Sequence, residues 1–197
     1  MKTTQVNQIL MYPISIVILA FVLHLNCFAQ NAFTQTGNSS ITVAGTSTLH
    51  EWTMTSKDGK YQADFEVSAD GAPTHLKAIT VTIPSESLKS GHGGMDKNAY
   101  SSLKTGKHKS ITFSLITARL QNNKIQCNGN LTICGVAKPI SLEVDYKVNP
   151  DHSLICIGSK AFKMSEYEVE PPSFMFGTVK TGDEITVSFN LELAVKK

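Results

Sequence analysis

The feature that most constrains this chain is an alternation of apolar and polar residues that recurs over most of its length. In residues 140–148, Ile, Leu, Val, Tyr and Val alternate with Ser, Glu, Asp and Lys, and residues 185–193 repeat the pattern. Residues 79–83 and 111–115 form shorter runs of the same kind. Alternation places one face of a β-strand against apolar material and the other against water. Each of these segments is therefore predicted to be a half-buried strand.

Weaker alternation marks five further candidate strands: residues 41–47, 52–57, 61–68, 124–133 and 153–162. Turn-forming residues separate the candidates: Asp58-Gly59, Asp70-Gly71, Asn122-Asn123, Gly135 and Asn149-Pro150-Asp151. These residue types supply the backbone conformations that tight turns need. The spacing predicts a series of antiparallel hairpins.

Two segments depart from this pattern. Met95, Ala99 and Leu103 recur at every fourth position, which predicts one short helix at about residues 95–105 with a single apolar stripe. Residues 164–182 contain two consecutive prolines and the apolar residues Phe174 and Phe176. We interpret this stretch as an ordered loop with an apolar cluster rather than as a strand.

Eight or nine antiparallel strands with one helix indicate an all-β domain, either a closed barrel or a sandwich. A barrel is favoured because closure removes the exposed strand edges that promote aggregation. Eight strands enclose an interior that is filled by side chains or holds one small ligand. Residues 138–149 alone would extend about 40 Å, at about 3.3 Å per residue. The sequence therefore predicts a tall, narrow interior that suits an extended chain.

The N-terminus has the layout of a secretory signal peptide. Lys2 precedes an apolar run at residues 14–25, and Cys27-Phe28-Ala29 places small residues at −3 and −1 of a cut before Gln30. An uncleaved anchor is the alternative, but spanning a membrane takes about 20 apolar residues. Lipid attachment at Cys27 is disfavoured by His24 and Asn26. We expect residues 1–29 to be removed and residues 30–197 to form one periplasmic or secreted domain without stable membrane insertion.

The charge distribution argues against nucleic-acid binding. The chain has 18 Lys and Arg residues against 16 Asp and Glu, a formal net charge of +2. Arg119 is its single arginine. Nucleic-acid binding needs a dense cluster of cations, preferably arginines, to neutralise phosphates. Near-neutral charge with scattered lysines does not provide one.

Three stretches carry a family resemblance: residues 45–52 (GTSTLHEW), 83–90 (IPSESLKS) and 129–139 (GNLTICGVAKP). Together, and in this order, they resemble the YceI-like family of exported bacterial proteins, over essentially all of residues 30–197. The resemblance implies an extended antiparallel eight-stranded lipocalin-like barrel. It also implies that the interior takes polyisoprenoid chains, such as isoprenoid quinones or polyprenyl phosphates, in a periplasmic or secreted setting.

Candidate catalytic and metal sites are few. The histidines after residue 29 are His50, His75, His92, His108 and His152, and none has a spacing to Cys, Asp or Glu that suits zinc. His50 and Glu51 are neighbours on a predicted strand, so their side chains point to opposite faces. Glu166, Glu168 and Glu170 are interpreted as a solvated edge rather than as acid–base carboxylates. We expect no catalytic residue, no metal and no cofactor other than a bound isoprenoid lipid.

Apolar residues therefore provide the candidate ligand pocket. The predicted lining consists of Trp52, Met54, Val81, Phe113, Leu131, Val144, Phe174, Phe176 and Phe189. Phe174 and Phe176 could close the barrel mouth over a ligand. Ordinary core packing is the alternative for all of these residues. Two hypotheses follow: an exported carrier or scavenger of an apolar lipid, and a ligand-free barrel with a structural or partner-binding role. The oligomeric state is left open, with a homodimer among the alternatives.

The cysteines after residue 29 are predicted to remain free thiols. Cys127 and Cys134 lie on one candidate strand, about 23 Å apart if that strand is extended. Cys156 lies two strands later in a meander, and next-nearest strands are about 9.6 Å apart. A disulfide needs Cα atoms about 4.4–6.8 Å apart, so neither distance allows one.

Overall fold

A computed structural model describes residues 29–174 and 177–196. Eleven strands form the sheet: β1 (Ala29–Gln35), β2 (Ser40–Ser47), β3 (Glu51–Ser56), β4 (Lys60–Val67), β5 (Pro73–Pro84), β6 (Ser110–Gln121), β7 (Lys124–Ile133), β8 (Val136–Val148), β9 (Leu154–Lys163), β10 (Ser173–Phe174) and β11 (Val179–Val195). The α-helix α1 spans Gly93–Ser102, and 3₁₀ turns span Ser85–Ser87 and Met164–Tyr167. No helix among the described residues is long and apolar enough to cross a membrane.

Eight of the strands close into an antiparallel barrel. The order around the ring is β1-β4-β5-β6-β7-β8-β9-β11, and β11 pairs back with β1. β2 and β3 extend the wall formed by β1 and β4: β2 pairs with β11 and β3 pairs with β2. The chain therefore runs up and down around the barrel, and the predicted eight-stranded fold with one helix is confirmed. The predicted helix boundaries are close, since α1 ends three residues before position 105.

Hairpin turns at both ends fix the register of the neighbouring strands. The central residues Asn122 and Asn123 both have positive φ (53° and 59°), as do Cys134 and Gly135 (51° and 79°). Two consecutive residues at positive φ form the type of turn that is favoured in two-residue hairpins, because its twist matches that of the two strands it joins. The register at these hairpins pairs Gln121 with Lys124, and Ile133 with Val136.

The strands are longer than the alternation indicated. β1 was not predicted at all, β5 begins at Pro73, β6 continues to Gln121, and β11 begins at Val179 inside the stretch interpreted as a loop. Shifts of register account for two of these differences. One lies between Leu115 and Thr117 and another between Asp64 and Phe65. A bulge inserts an extra residue and reverses the alternation beyond it, so a strict period of two stops there.

The three cysteines of the described chain are free. β7, β8 and β9 are consecutive neighbours, which confirms the meander that kept Cys156 away from Cys127 and Cys134. Cys134 differs from the prediction in lying in the turn after β7 rather than on the strand. Its thiol donates a hydrogen bond to the backbone oxygen of Leu103, at 3.1 Å, and so connects this turn to the end of α1.

Candidate functional site

The barrel interior is an elongated apolar cavity of about 520 Å³. Its walls consist of the inward side chains of every second strand residue, among them Val81 on β5, Leu142 on β8 and Val187 on β11. Along β11 the lining runs from Thr181 to Leu193, about 40 Å of strand at about 3.3 Å per residue. The volume is typical of a pocket for one small ligand. The shape is that of a tunnel, and we call it the tunnel below.

One end of the tunnel is closed by a packed floor. Phe33 and Phe65 make an edge-to-face contact with ring centroids 5.3 Å apart, a favoured geometry for aromatic pairs. Leu154 and Leu193 complete this layer, each only 1% exposed. Side chains therefore fill the barrel at the end where β1 begins and β11 ends. The tunnel extends from this layer toward the other end of the barrel.

The other end is partly covered by α1. Met95 and Ala99 on the helix, with Leu103 just after it, are the residues of the predicted apolar stripe, and they line the tunnel. Hydrogen bonds hold the helix in place: the Asp96 carboxylate accepts from the Ser90 backbone N–H (2.8 Å) and hydroxyl (2.6 Å). These two bonds hold the pKa of Asp96 below its usual range. The Tyr100 hydroxyl lies 2.8 Å from the Leu88 carbonyl oxygen and donates to it.

The mouth of the tunnel opens beside α1, at the turn between β2 and β3. Leu49 and His50 line the tunnel there, and Leu49 is 69% exposed. A buried cluster of Met164, Tyr167 and Val169 also lines the tunnel and packs against Val43 and Trp52. The Tyr167 ring packs edge-on against Phe162 at 5.3 Å. The exposed apolar side chain of Leu49 therefore lies at the rim of the opening through which a ligand would enter the tunnel from solvent.

Glycines opposite aromatic residues keep the centre of the tunnel open. A Cβ at Gly129 would overlap the Phe113 ring, and one at Gly158 would overlap Phe189. Each ring therefore lies over a glycine of the neighbouring strand, in space that a side chain at that position would fill. A side chain at either position would displace the ring, and at Gly129 it would also overlap the backbone oxygen of Ser114.

The tunnel has few polar groups. Burial raises the pKa of the Cys156 thiol to about 12, and burial also raises that of Cys127. Both thiols are therefore protonated at neutral pH and act as small apolar groups. No Asp or Glu is among the described residues that line the tunnel, and Lys160 is their one lysine. In the described part of the chain, no three His, Cys, Asp or Glu side chains form a metal site.

The structure describes the side chains of seven of the nine predicted pocket residues. Seven of them line the tunnel: Trp52, Met54, Val81, Phe113, Leu131, Val144 and Phe189. Phe176 lies outside the described residues, as do residues 1–28, and nothing is described of the Phe174 side chain. The predicted closure of the mouth by these two phenylalanines stays a prediction.

The prediction missed Cys156 and Lys160, which line the tunnel from β9. Their strand has apolar residues on both faces, since Ile157 points outward and is 51% exposed. This obscures the alternation that marks the inward face elsewhere. The inward residues of this strand are Leu154, Cys156, Gly158, Lys160 and Phe162. They show the apolar alternation only if Lys160 is counted as an inward residue.

Comparison with known proteins agrees with this architecture. The family model described as YceI-like domain matches residues 33–193. A UPF0312 protein of Shewanella oneidensis is 34% identical over 86 residues, and Protein YceI of Salmonella arizonae is 33% identical over 67 residues. The aligned parts span 42% and 33% of this chain, and 44% and 35% of those relatives. The chain thus spans less than half the length of these curated relatives.

Solved structures share the fold. Burkholderia cenocepacia BcnA superposes with a TM-score of 0.67 at 19% identity, over 80% of this chain and 96% of BcnA. A polyisoprenoid binding domain from Saccharophagus degradans, implicated in plant cell wall breakdown, gives a TM-score of 0.63 at 11% identity. That match covers 85% of this chain and all of the domain. At these identities the likeness establishes the barrel architecture alone.

A charge introduced into the tunnel wall should destabilise the barrel. Phe113 is 8% exposed, so Phe113→Asp removes a buried ring and leaves an unpaired carboxylate in apolar surroundings. We expect a loss of at least about 3 kcal/mol in the free energy of unfolding, the lower end for loss of a buried Phe. Urea denaturation measures it.

The matched control is Ser114→Asp, on the exposed outer face of the same strand. Its effect should stay within about 0.5 kcal/mol. Thr112 also alternates outward but borders the tunnel, so it is the poorer control. Equal stability of the two Asp variants would contradict the assignment of Phe113 to the inner face.

Proposed function

The chain belongs to the YceI-like family, and from this membership and the tunnel we propose that it binds one extended polyisoprenoid-type lipid inside its barrel. An isoprenoid quinone and a polyprenyl phosphate both fit this description. The role is that of a carrier or scavenger rather than an enzyme. The observation that carries the proposal is the continuous apolar tunnel of about 520 Å³, open at the mouth and closed at the floor.

The shape of the tunnel favours a chain over a compact ring. Its lining extends about 40 Å along β11, at about 3.3 Å per residue, while its width is that of an eight-stranded barrel, enough for one small ligand. Burial of about 20 methylene-sized groups would contribute about 16 kcal/mol gross, at about 0.8 kcal/mol each. Loss of freedom in a flexible chain cancels much of this gain, but enough remains for retention during purification.

The Saccharophagus degradans structure supports the proposal as an analogy. That protein is a polyisoprenoid binding domain with the same barrel architecture. The lining of the present tunnel is chemically suited to such a ligand, because Ile, Leu, Val, Phe and Met dominate it. Methionines such as Met54 and Met95 adapt their shape to an apolar partner that varies.

Extraction of bound lipid tests the proposal directly. Protein purified from its own host is extracted with organic solvent, and the extract is analysed by mass spectrometry. We expect a long-chain isoprenoid lipid at up to one molecule per barrel. The variant Val187→Trp, which places an indole in the tunnel, should carry far less lipid because the ring occupies the path of the chain.

The matched control is Ser188→Trp, one residue along β11 on the exposed face, which should carry as much lipid as the unmodified protein. Absence of lipid from all three proteins would favour the ligand-free structural barrel. Equal lipid in both Trp variants would place the ligand outside the tunnel.

Export of the protein is the second part of the proposal. The N-terminal layout of Lys2, the apolar run at 14–25 and Ala29 supports cleavage before Gln30. Intact-mass measurement on protein from the periplasmic or culture fraction should give the mass of residues 30–197. A mass that retains residues 1–29, or a lipid on Cys27, would contradict it.

A further inference from the structure

Strand pairing in the barrel wall is incomplete between β8 and β9. β8 and β9 pair only at one end, where Val144 to Val148 lie opposite Gly158 to Leu154. Residues 136–143 of β8 and 159–163 of β9 are beyond this pairing, although β8 is paired with β7 from Val136 to Asp145. Pro139 lies in the half of β8 that lacks the β9 partner. Proline donates no backbone hydrogen bond and is confined to such edges.

A second cavity lies at this gap. It is lined by Gln126, Cys127, Asn128, Ser141, Leu142, Glu143, Ser159 and Lys160. Cys127, Leu142 and Lys160 also line the tunnel. The other five alternate with them and face the outside of the barrel. The two cavities therefore share these three residues at the point where the pairing of β8 with β9 is missing, and we call this second cavity the side port.

Lys160 places a positive charge where the side port meets the tunnel. It lies on the inward face of β9 with Cys156 and Phe162, opposite Val187 of β11. Among the described residues its ammonium group forms none of the ion pairs. The thiols of Cys127 and Cys156 are protonated, so neither supplies a negative partner.

The outer rim of the side port carries one carboxylate among the described residues, Glu143, which points outward and is paired with Lys124 rather than with Lys160. Lys124 also lies 3.3 Å from Asp145. Ser141 donates a hydrogen bond of 2.6 Å to the Asn128 side chain, which in turn donates to Thr117 at 3.3 Å. The side chains of this rim are therefore engaged with one another rather than with Lys160.

We propose that the side port is a head-group site, in which Lys160 binds the anionic group of a single-chain lipid while the chain lies in the tunnel. This rests on the proposed function and adds the charge class of the ligand to it. A phosphate and a carboxylate present the same chemistry to an ammonium group. A cation facing an apolar space is costly unless it is paired, and such a head group would pair it.

Binding of matched lipids to the full exported chain, stripped of lipid, tests the proposal. Geranylgeranyl monophosphate and geranylgeraniol share one chain and differ in charge, and oleate and oleyl alcohol form a second such pair. Trp52 lines the tunnel and is the one tryptophan of the chain, so its fluorescence reports binding. We expect at least one anionic probe to bind about tenfold tighter than its alcohol, the size of one charged hydrogen bond.

The variant Lys160→Met should reduce this preference to less than about threefold. Lys160→Arg should retain it, and so should Lys163→Met, which removes an exposed lysine three residues along β9. Lys160→Gln serves as a second neutral variant if Lys160→Met does not fold. A preference within the geranylgeranyl pair would indicate a phosphate head group, and a preference within the oleyl pair would indicate a carboxylate.

The outcomes separate this proposal from the function on which it rests. Failure of all four probes to bind the unmodified protein would contradict the proposed lipid binding itself. Equal binding of acid and alcohol, or a preference that survives in Lys160→Met, would overturn the head-group site and leave tunnel binding intact. An equal loss in Lys163→Met would mean that surface charge causes the effect, and would also overturn it.

Discussion

Closure of the sheet by β11 is the constraint on which the rest of the structure depends. This strand of 17 residues pairs with β9 on one side and with both β1 and β2 on the other. Once the ring is closed, the alternation along each strand sends one set of side chains inward and the other to solvent. The inner set is predominantly apolar, with Lys160 of β9 as the one lysine among the described lining residues, so closure creates a largely apolar interior of fixed width.

Side-chain size then decides where that interior is filled. At the floor, Phe33, Phe65, Leu154 and Leu193 meet and exclude any ligand. Higher up, Gly129 and Gly158 let aromatic rings lie over the wall instead of across it. The pairing of β8 with β9 stops at Val144, and beyond it Lys160 lines both the tunnel and the side port. Side-chain size therefore explains the floor and the tunnel, and the limit of strand pairing explains the position of the side port.

The alternation predicted the barrel, and seven of the residues named from the sequence line its tunnel, because half-buried strands leave a direct pattern in the sequence. It failed where a bulge or an outward apolar residue interrupts the alternation. The bulge beside Leu115 hid the second half of β6, and the outward Ile157 hid the inward face of β9. The side port could not be predicted, since the end of strand pairing between β8 and β9 depends on tertiary packing. A lone lysine in an alternating run is ordinarily assigned to the outside, and Lys160 shows the limit of that rule.

The central claim is that the tunnel holds one extended chain, and dependence of affinity on chain length tests it most directly. Neutral polyprenols of increasing length would be titrated against the lipid-free protein, with Trp52 fluorescence as the readout. The tunnel predicts that affinity rises with each added isoprene unit and levels off once the chain spans from the mouth to the floor. Affinity independent of chain length, or equal affinity for a compact apolar ring, would contradict the claim.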